Sequence, residues 1–458
     1  MATSADHQTS HHARHAAVSI VRRLRDAGHV AYFAGGCVRD ELLGLEPVDY
    51  DVATDARPDV IQAMFPRTAA VGASFGVVLV KEPGATVEVA TFRADGPYSD
   101  KRRPDHVEFA DAAHDAQRRD FTINALFLDP LAAADSMGGS TGNAAGIHGH
   151  VIDHVGGRAD LEAGIVRAVG DAEQRLAEDH LRALRAVRFA ARYGFAIEEG
   201  TAGAIRDHAQ DLAGVSRERI GDELRRMLAA DSRTRAVELL VSLGLDSMLF
   251  GEGPAGSSAA STSRSWVLAA LGGEGRAGQN PGTGSRISFP ASLAALAFDR
   301  GEIGSPAQIP ALVRQWRRNL CLSNEESSRL RDVLAGVLEI EAGWGSLPTA
   351  QQKRRAASGW FPEALAVVGA RDAALERAGD GGLGKMVAAD VAGLEADGIG
   401  LAPEPMIDGN DLLALGIDAG PVFARVLERV YDAQLDGRVS SKPMAVKMAA
   451  ELARLGSV

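Results

Sequence analysis

Asp49 and Asp51 stand either side of Tyr50 in the stretch GGCVRDELLGLEPVDYDVAT, Gly35 to Thr54. Read as a strand, DYDVAT puts both carboxylates on one face, roughly 6.6 Å apart along the backbone. Like charges that close repel unless a cation lies between them. Glu88, flanked by Val87 and Val89 in the strand-like TVEVATF, offers a third carboxylate on a neighbouring strand. Three carboxylates on two strands can hold two Mg2+ ions about 3.5–4 Å apart, an arrangement that serves in-line phosphoryl transfer. Mg2+ leaves its other positions to water and phosphate oxygens. A polar sheet edge would carry Asp-x-Asp just as well, so the neighbouring residues decide. Gly35 and Gly36 close one strand and open a short helix, where backbone N–H groups and a missing Cβ let a phosphate come close. Arg39 adds a planar cation that suits phosphate oxygens.

Two further stretches carry polar groups at regular spacing. In RRDFTINALFLD (Arg118–Asp129), Arg119 is placed for phosphates. Asp120 and Asn124 are spaced i, i+4 on a predicted helix and could bond a ribose hydroxyl, or Asp120 could simply cap that helix. In EDHLRALRAVRFAARYGF (Glu178–Phe195), Asp179, Arg182, Arg185 and Arg188 recur every three residues, near one face of a helix. A solvated basic face would look alike. As a site, an acceptor at Asp179 and a donor fork at Arg182 can pair with the hydrogen-bonding edge of a base.

The elements that must position these groups are legible in outline. AAVSIVRRLRDAG reads as a helix stopped by Gly28, HVAYFAGG as a strand, and RPDVIQAMF as a helix with Pro58 in its first turn. GVVLV and TVEVATFR alternate like strands around the turn KEPGA. Mixed short elements run to about residue 155 and helices dominate afterwards. DSMGGSTGNAAGIHGH, near 136–150, lacks the Gly-Lys-Ser/Thr ending of a P-loop and reads as an exposed insertion. Two Gly/Ser-rich stretches between about 251 and 285 read as loops in the helical half, and no internal repeat is visible.

The 458 residues carry a net charge of -12, with 46% hydrophobic and 24% charged side chains. That length allows two or more domains. A general nucleic-acid binder is disfavoured, so RNA contact must come from local basic patches. No apolar run reaches the roughly 20 residues of a membrane span. The start, MATSADHQTSHHARH, lacks a signal-peptide core and reads as a frayed, solvated tail. Cys37 and Cys321 are the only cysteines, which fits a reducing cytoplasm.

The three motifs together, in this order and spacing over roughly the first 220 residues, resemble the class II tRNA nucleotidyltransferase and bacterial poly(A) polymerase family of the DNA-polymerase-β nucleotidyltransferase superfamily. The segment DGNDLLALGIDAGPVFARVLERVYDAQLDGRVSS (Asp408–Ser441) also resembles the C-terminal part of bacterial members. The resemblance implies an α+β fold: a polymerase-β-like head with a mixed sheet, then an all-helical neck, body and tail. The expected segments are a flexible tail at 1–17, the head at 18–155, the neck at 156–215, the body at 216–340 and the tail at 341–458. It implies Asp49, Asp51 and Glu88 as catalytic metal ligands for two Mg2+ ions. It implies nucleotide contacts at Gly35, Gly36, Arg39, Arg119, Asp120, Asn124, Asp179, Arg182, Arg185 and Arg188, with Asp179 and Arg182 choosing C or A. Position 180 is His where relatives often carry Pro.

Within the family, VGASFGVVLV resembles the tRNA nucleotidyltransferase pattern rather than the basic version of poly(A) polymerases. The loop RADGPYSDKRRPDHVEF (Arg93–Phe109) is full length, whereas relatives that add only CC have it shortened. The expectation is CCA addition to the tRNA 3′ end from CTP and ATP, in the cytoplasm, with no protein partner. The alternatives are a poly(A) polymerase or an A-adding tRNA enzyme.

Overall fold

The structure, a computed structural model, describes residues 4–70, 76–96, 107–132, 148–252, 266–271, 287–375, 382–417 and 420–455. The Gly/Ser-rich stretches and the tip of the 93–109 loop lie largely outside the described residues, as does the first half of VGASFGVVLV. The chain divides into two compact units. The first takes residues 1–252, 276–285 and 319–321; the second takes 253–275, 286–318 and 322–458.

The first unit begins with helix α1 (Ser4–Asp26). The N-terminal stretch is therefore helical from residue 4, not a frayed tail to residue 17. From Arg14 onward the helix is tied to the fold: Ala16, Ala17, Ile20, Val21 and Leu24 are buried, and Arg14 Nε donates to Glu41 Oε1 at 2.8 Å. Strand β1 (Ala31–Ala34), helix α2 (Gly36–Leu42), strand β2 (Asp51–Thr54), helix α3 (Pro58–Met64) and strands β3 (Thr68–Ala70), β4 (Val77–Glu82) and β5 (Ala85–Thr91) follow. Beyond them come a small hairpin of β6 (Arg93–Asp95) with β7 (Val107–Phe109), helix α4 (Ala112–Gln117), and strands β8 (Phe127–Asp129) and β9 (His150–Ile152). The main sheet has seven strands in the order β3-β4-β5-β2-β1-β8-β9.

Alternation gives the sheet two different faces. Phe33, Val52 and Val89 are fully buried, and α1 packs against β1, β2 and β5. On the other face Ala34, Ala53, Phe92, Ala125 and Phe127 form a second apolar cluster. β2 and β5 are parallel neighbours, with Asp51 opposite Glu88 and Ala53 opposite Ala90. The two carboxylates thus share the face of the second cluster.

Helices follow: α5 (Gly157–Ala163), α6 (Ala172–Glu178), α7 (Leu181–Tyr193), α8 (Glu199–Asp207), α9 (Arg217–Leu228), α10 (Arg233–Ser242) and α11 (Asp246–Phe250), with a two-stranded parallel pair, β10 (Ile165–Val166) and β11 (Ala196–Ile197), among them. α7 is the centre of this part. Leu184, Ala186, Val187 and Ala190 are fully buried, and a buried Leu or Val side chain contributes about 1.5–3 kcal/mol. α9 and α10 both pack on α7, so the expected boundary at 215 falls inside one compact unit. The reason is apolar: Ile220, Leu224 and Leu228 of α9 are fully buried.

The second unit is helical in its described residues, from α12 (Trp266–Ala270) and α13 (Phe289–Asp299) through α14 (Ile309–Leu320), α15 (Asn324–Gly343), α16 (Thr349–Ala356) and α17 (Phe361–Ala374) to α18 (Leu383–Ala396), α19 (Gly409–Ala414), α20 (Pro421–Leu435) and α21 (Lys442–Leu455). The expected division at 340 cuts through α15, a 20-residue helix started by a Ser323–Glu326 capping box. Its Val333, Leu334 and Val337 are fully buried, so no boundary can fall there.

Candidate active site

Tyr50 explains how the Asp-x-Asp pair is aimed. Its ring is buried edge-on to Phe33 at 5.2 Å, and its hydroxyl donates to Glu41 Oε1 at 2.7 Å. With Tyr50 anchored on the α1 side, Asp51 turns to the opposite face. β2 begins at Asp51, so Asp49 lies just ahead of the strand rather than on it. Asp49 and Glu88 are solvent-exposed and Asp51 is half-buried. Loss of hydration, then the charges of Glu88 and Asp49, push the Asp51 carboxyl up to about 7, against a smaller lowering by Arg119. Glu88 is raised as well, by partial burial and by Asp49. Three carboxylates that disfavour one another's charge at a solvent-open edge suit a divalent cation.

Gly35 has φ +71°, in the left-handed region. A Cβ there would lie 2.8 Å from Arg119 Nη1, so both the backbone and the arginine require glycine. The Gly35 N–H donates to the Leu126 carbonyl at 3.0 Å, which removes it from the set of N–H groups expected for an anion. Arg119 is held by Asp115, with Nη2 at 3.0 Å from Oδ2, and by the Asn124 carbonyl at 3.0 Å. Asp115 is almost wholly buried and also pairs with Arg118 at 2.7 Å. Burial opposes its charge, yet the two arginines win and hold its pKa below the ordinary value.

Arg39 differs from expectation. It is 5% exposed, donates to Asp40 Oδ1 at 2.9 and 2.7 Å and to Asn124 Oδ1, and lies over Phe189 and Tyr193. It ties α2 to α7 and holds Asn124, rather than facing solvent as a free phosphate ligand. The DFTIN stretch is a single 3-10 turn, Thr122–Asn124, not the start of an α-helix. Gly157 explains the tight fit there: a Cβ on it would lie 2.1 Å from the Thr122 carbonyl oxygen. Asp120 and Asn124 do meet, at 3.0 Å, but Asp120 caps no helix. It pairs with Arg185, Nε to Oδ2 at 2.7 Å. Burial works against its charge, and Arg185 with Asn124 overcomes this, leaving its pKa at about 2.

The Asp179–Arg188 stripe is likewise not one helix face. Asp179 is the extended residue that ends α6, with φ -155°, and α7 starts at Leu181. Arg182, Arg185 and Arg188 do lie along α7. Each has a protein partner: Arg182 bonds Glu178, Arg185 bonds Asp120, and Arg188 bonds Glu223 at 2.6 Å. Asp179 is gripped by both guanidinium ends of Arg219, at 3.2 and 2.6 Å. The two residues expected to read a base are therefore each engaged by a protein partner here. Sequence reasoning missed Asp115, Glu178, Arg219 and Glu223. Asp115–Arg119 and Glu178–Arg182 had a local signal, the i, i+4 spacing, whereas Arg219 and Glu223 had none.

Residues 31–167 match the poly(A) polymerase head domain, and residues 194–255 match the probable RNA and SrmB-binding site of polymerase A. The chain is 42% identical over 236 residues to a CCA-adding enzyme of Geobacillus thermodenitrificans, covering 51% of this chain and 54% of that one. A CCA-adding enzyme of Lactobacillus gasseri is 41% identical over 231 residues, 50% of this chain and 54% of that one. These alignments span about half the length of the curated relatives. Among solved structures, the Bacillus stearothermophilus CCA-adding enzyme in complex with CTP superposes with TM-score 0.70 at 29% identity, covering 96% of this chain and 97% of that one. The Thermotoga maritima CCA-adding enzyme complexed with tRNA shares the fold, with TM-score 0.61 at 18% identity over 95% and 94% of the two chains. By these matches the chain carries a poly(A) polymerase head domain at 31–167 and the probable RNA and SrmB-binding region at 194–255, on a fold similar to that of CCA-adding enzymes of known structure.

Proposed function

We propose that this protein is a template-independent nucleotidyltransferase that adds C and A, from CTP and ATP, to the 3′ end of tRNA. The observation that carries the reading is the pairing of Asp51 on β2 with Glu88 on β5, with the Asp49 charge close enough to raise both. In the reaction, the tRNA 3′ oxygen forms a bond to the α-phosphorus of the nucleotide, the bond to the bridging oxygen breaks, and pyrophosphate leaves. Asp49, Asp51 and Glu88 would hold the divalent cations, two Mg2+ ions in this reading, whose positive charge would favour the hydroxyl as a nucleophile and stabilise the pyrophosphate as it leaves. Arg119, braced by Asp115, offers its remaining edge to the triphosphate beside the Gly35–Gly36 turn. Arg39 acts on the nucleotide through Asn124, which it holds. Asp179 and Arg182 read the base once nucleotide draws them from Arg219 and Glu178, while Asp120 and Glu223 keep Arg185 and Arg188 oriented. No covalent enzyme intermediate is required. No described helix is long and apolar enough to cross a membrane, and a cytoplasmic site of action is part of this proposal, since tRNA is its substrate.

The test is incorporation of labelled nucleotide by Asp49→Ala and Asp51→Ala proteins. Both should fold, bind tRNA and incorporate neither CTP nor ATP; turnover like that of the unchanged protein in either variant would refute the carboxylate assignment. The family match to a poly(A) polymerase head keeps a second reading in play, addition of A residues to RNA ends in general. An unrelated RNA with ATP alone separates the two: long A tails would favour that reading.

A further inference from the structure

We propose that His180, His208 and Asp211 form a binding site for a transition-metal cation of the zinc class, separate from the carboxylates on β2 and β5. Among the described residues these three form the group of His, Cys, Asp or Glu whose ligand atoms all lie within 4.8 Å of one another. His180 Nε2 is 3.9 Å from Asp211 Oδ2, and His208 Nδ1 is 2.7 Å from the same oxygen. Ligands bound at about 2.0 Å in a tetrahedron are about 3.3 Å apart. One distance must close and the other open by roughly 0.6 Å, within reach of side-chain rotation. His180 is 3% exposed and forms the fixed wall; His208 and Asp211 are open enough to adjust and to admit an ion with its water.

The donor set selects the metal. Two imidazoles and one carboxylate suit Zn2+ or Co2+, whereas Mg2+ favours oxygen ligands. Glu173 adds the outer contact such sites use: its Oε2 lies 2.8 Å from His208 Nε2 and directs Nδ1 into the cluster. A hydrogen-bonded clamp of His208 between Glu173 and Asp211 accounts for His208 alone. A second imidazole, His180, lies beside it with ring centroids 5.5 Å apart, and its Nε2 faces the same carboxylate oxygen. His180 directly follows Asp179 and caps α7, while His208 and Asp211 join the end of α8 to the following 3-10 turn. A cation here fastens the α6–α7 junction, which carries Asp179, to α8.

The experiment is a Co2+ titration of the full chain, read by visible absorption and stoichiometry, with Mg2+ in excess. Imidazoles at positions 7, 11, 12 and 15 would compete for Co2+, so a protein with these four changed to Gln is the reference background. That protein should retain one Co2+ per chain, displaced by Zn2+ and not by Mg2+. Introducing Asp211→Asn or His208→Gln should weaken it at least about tenfold with unchanged circular dichroism, and Asp51→Asn should leave it intact. Both His208 and Asp211 are partly exposed, so neither variant depends on refilling a core. Loss of all Co2+ binding with the four N-terminal histidines, or affinity unchanged in both cluster variants, overturns the proposal.

Discussion

Asp51 carries a conflict between stability and function that can be measured. Its folded pKa of about 7 lies above the ordinary 3.8. Between those values the native state holds a proton that the unfolded chain has lost, so this group's contribution to stability falls as pH rises from about 4 to 7 and stays low above that. At one pKa unit per 1.36 kcal/mol, the ceiling is about 4 kcal/mol. Metal-free Asp51→Asn should therefore resist urea better than the unchanged protein at pH 8 and equally at pH 4, while losing all incorporation. An equal midpoint at pH 8 would mean the carboxylate is not strained. At the proposed base-reading pair, Asp179→Ala and Arg182→Ala should each lower discrimination among CTP, ATP, UTP and GTP by about 1–3 kcal/mol. Arg219→Ala should shift the same ratios by releasing Asp179; activity lost with ratios unchanged would make these residues structural. The types of these groups were readable because alternation and spacing are local. Their partners were not: Arg219 lies 40 residues from Asp179 and Glu223 lies 35 from Arg188, distances that only folding closes.

The elements around the site carry two further expectations. Gly157 has no room for a side chain against the Thr122 carbonyl. Gly157→Ala should displace the 3-10 turn that holds Asn124 and reduce incorporation of CTP and ATP alike, which steady-state kinetics would show; unchanged kinetics would mean the turn tolerates the shift. The hairpin of β6 and β7 is the stem of the 93–109 loop. Replacing Asp95–Arg102 with a short Gly-Ser linker should leave C addition nearly intact and suppress A addition to tRNA ending in CC; parallel loss, or no loss, counts against a loop role in the switch. The β4–β5 hairpin and α7 were legible because turn chemistry and periodicity act over a few residues. The 3-10 turn at Thr122–Asn124 and the early start of α1 were not. The first is set by contact with Gly157, and the second lies ahead of the apolar stripe that begins at Ala16, where the sequence carries no helical period. β6 likewise emerged from a loop without strand period, because its pairing with β7 is what defines it.

At the scale of the whole molecule, the division into a mixed head followed by helices was readable from the change of period near residue 155. The unit boundary near 252 was not, because α9 and α10 join the first unit through buried apolar side chains that a helical pattern alone cannot allocate. The same limit applies to the second unit, whose helices are evident and whose substrate contacts are not. The central claim is therefore tested on the complete chain: purified protein is incubated with Mg2+ and tRNA transcripts ending before CCA, after C, and after CC, with CTP and ATP supplied separately. With CTP alone the account predicts C addition to the first two, stopping after CC, and with ATP alone a single A added to the third. Failure to add C to either of the first two, or unlimited A extension of all three, would contradict it.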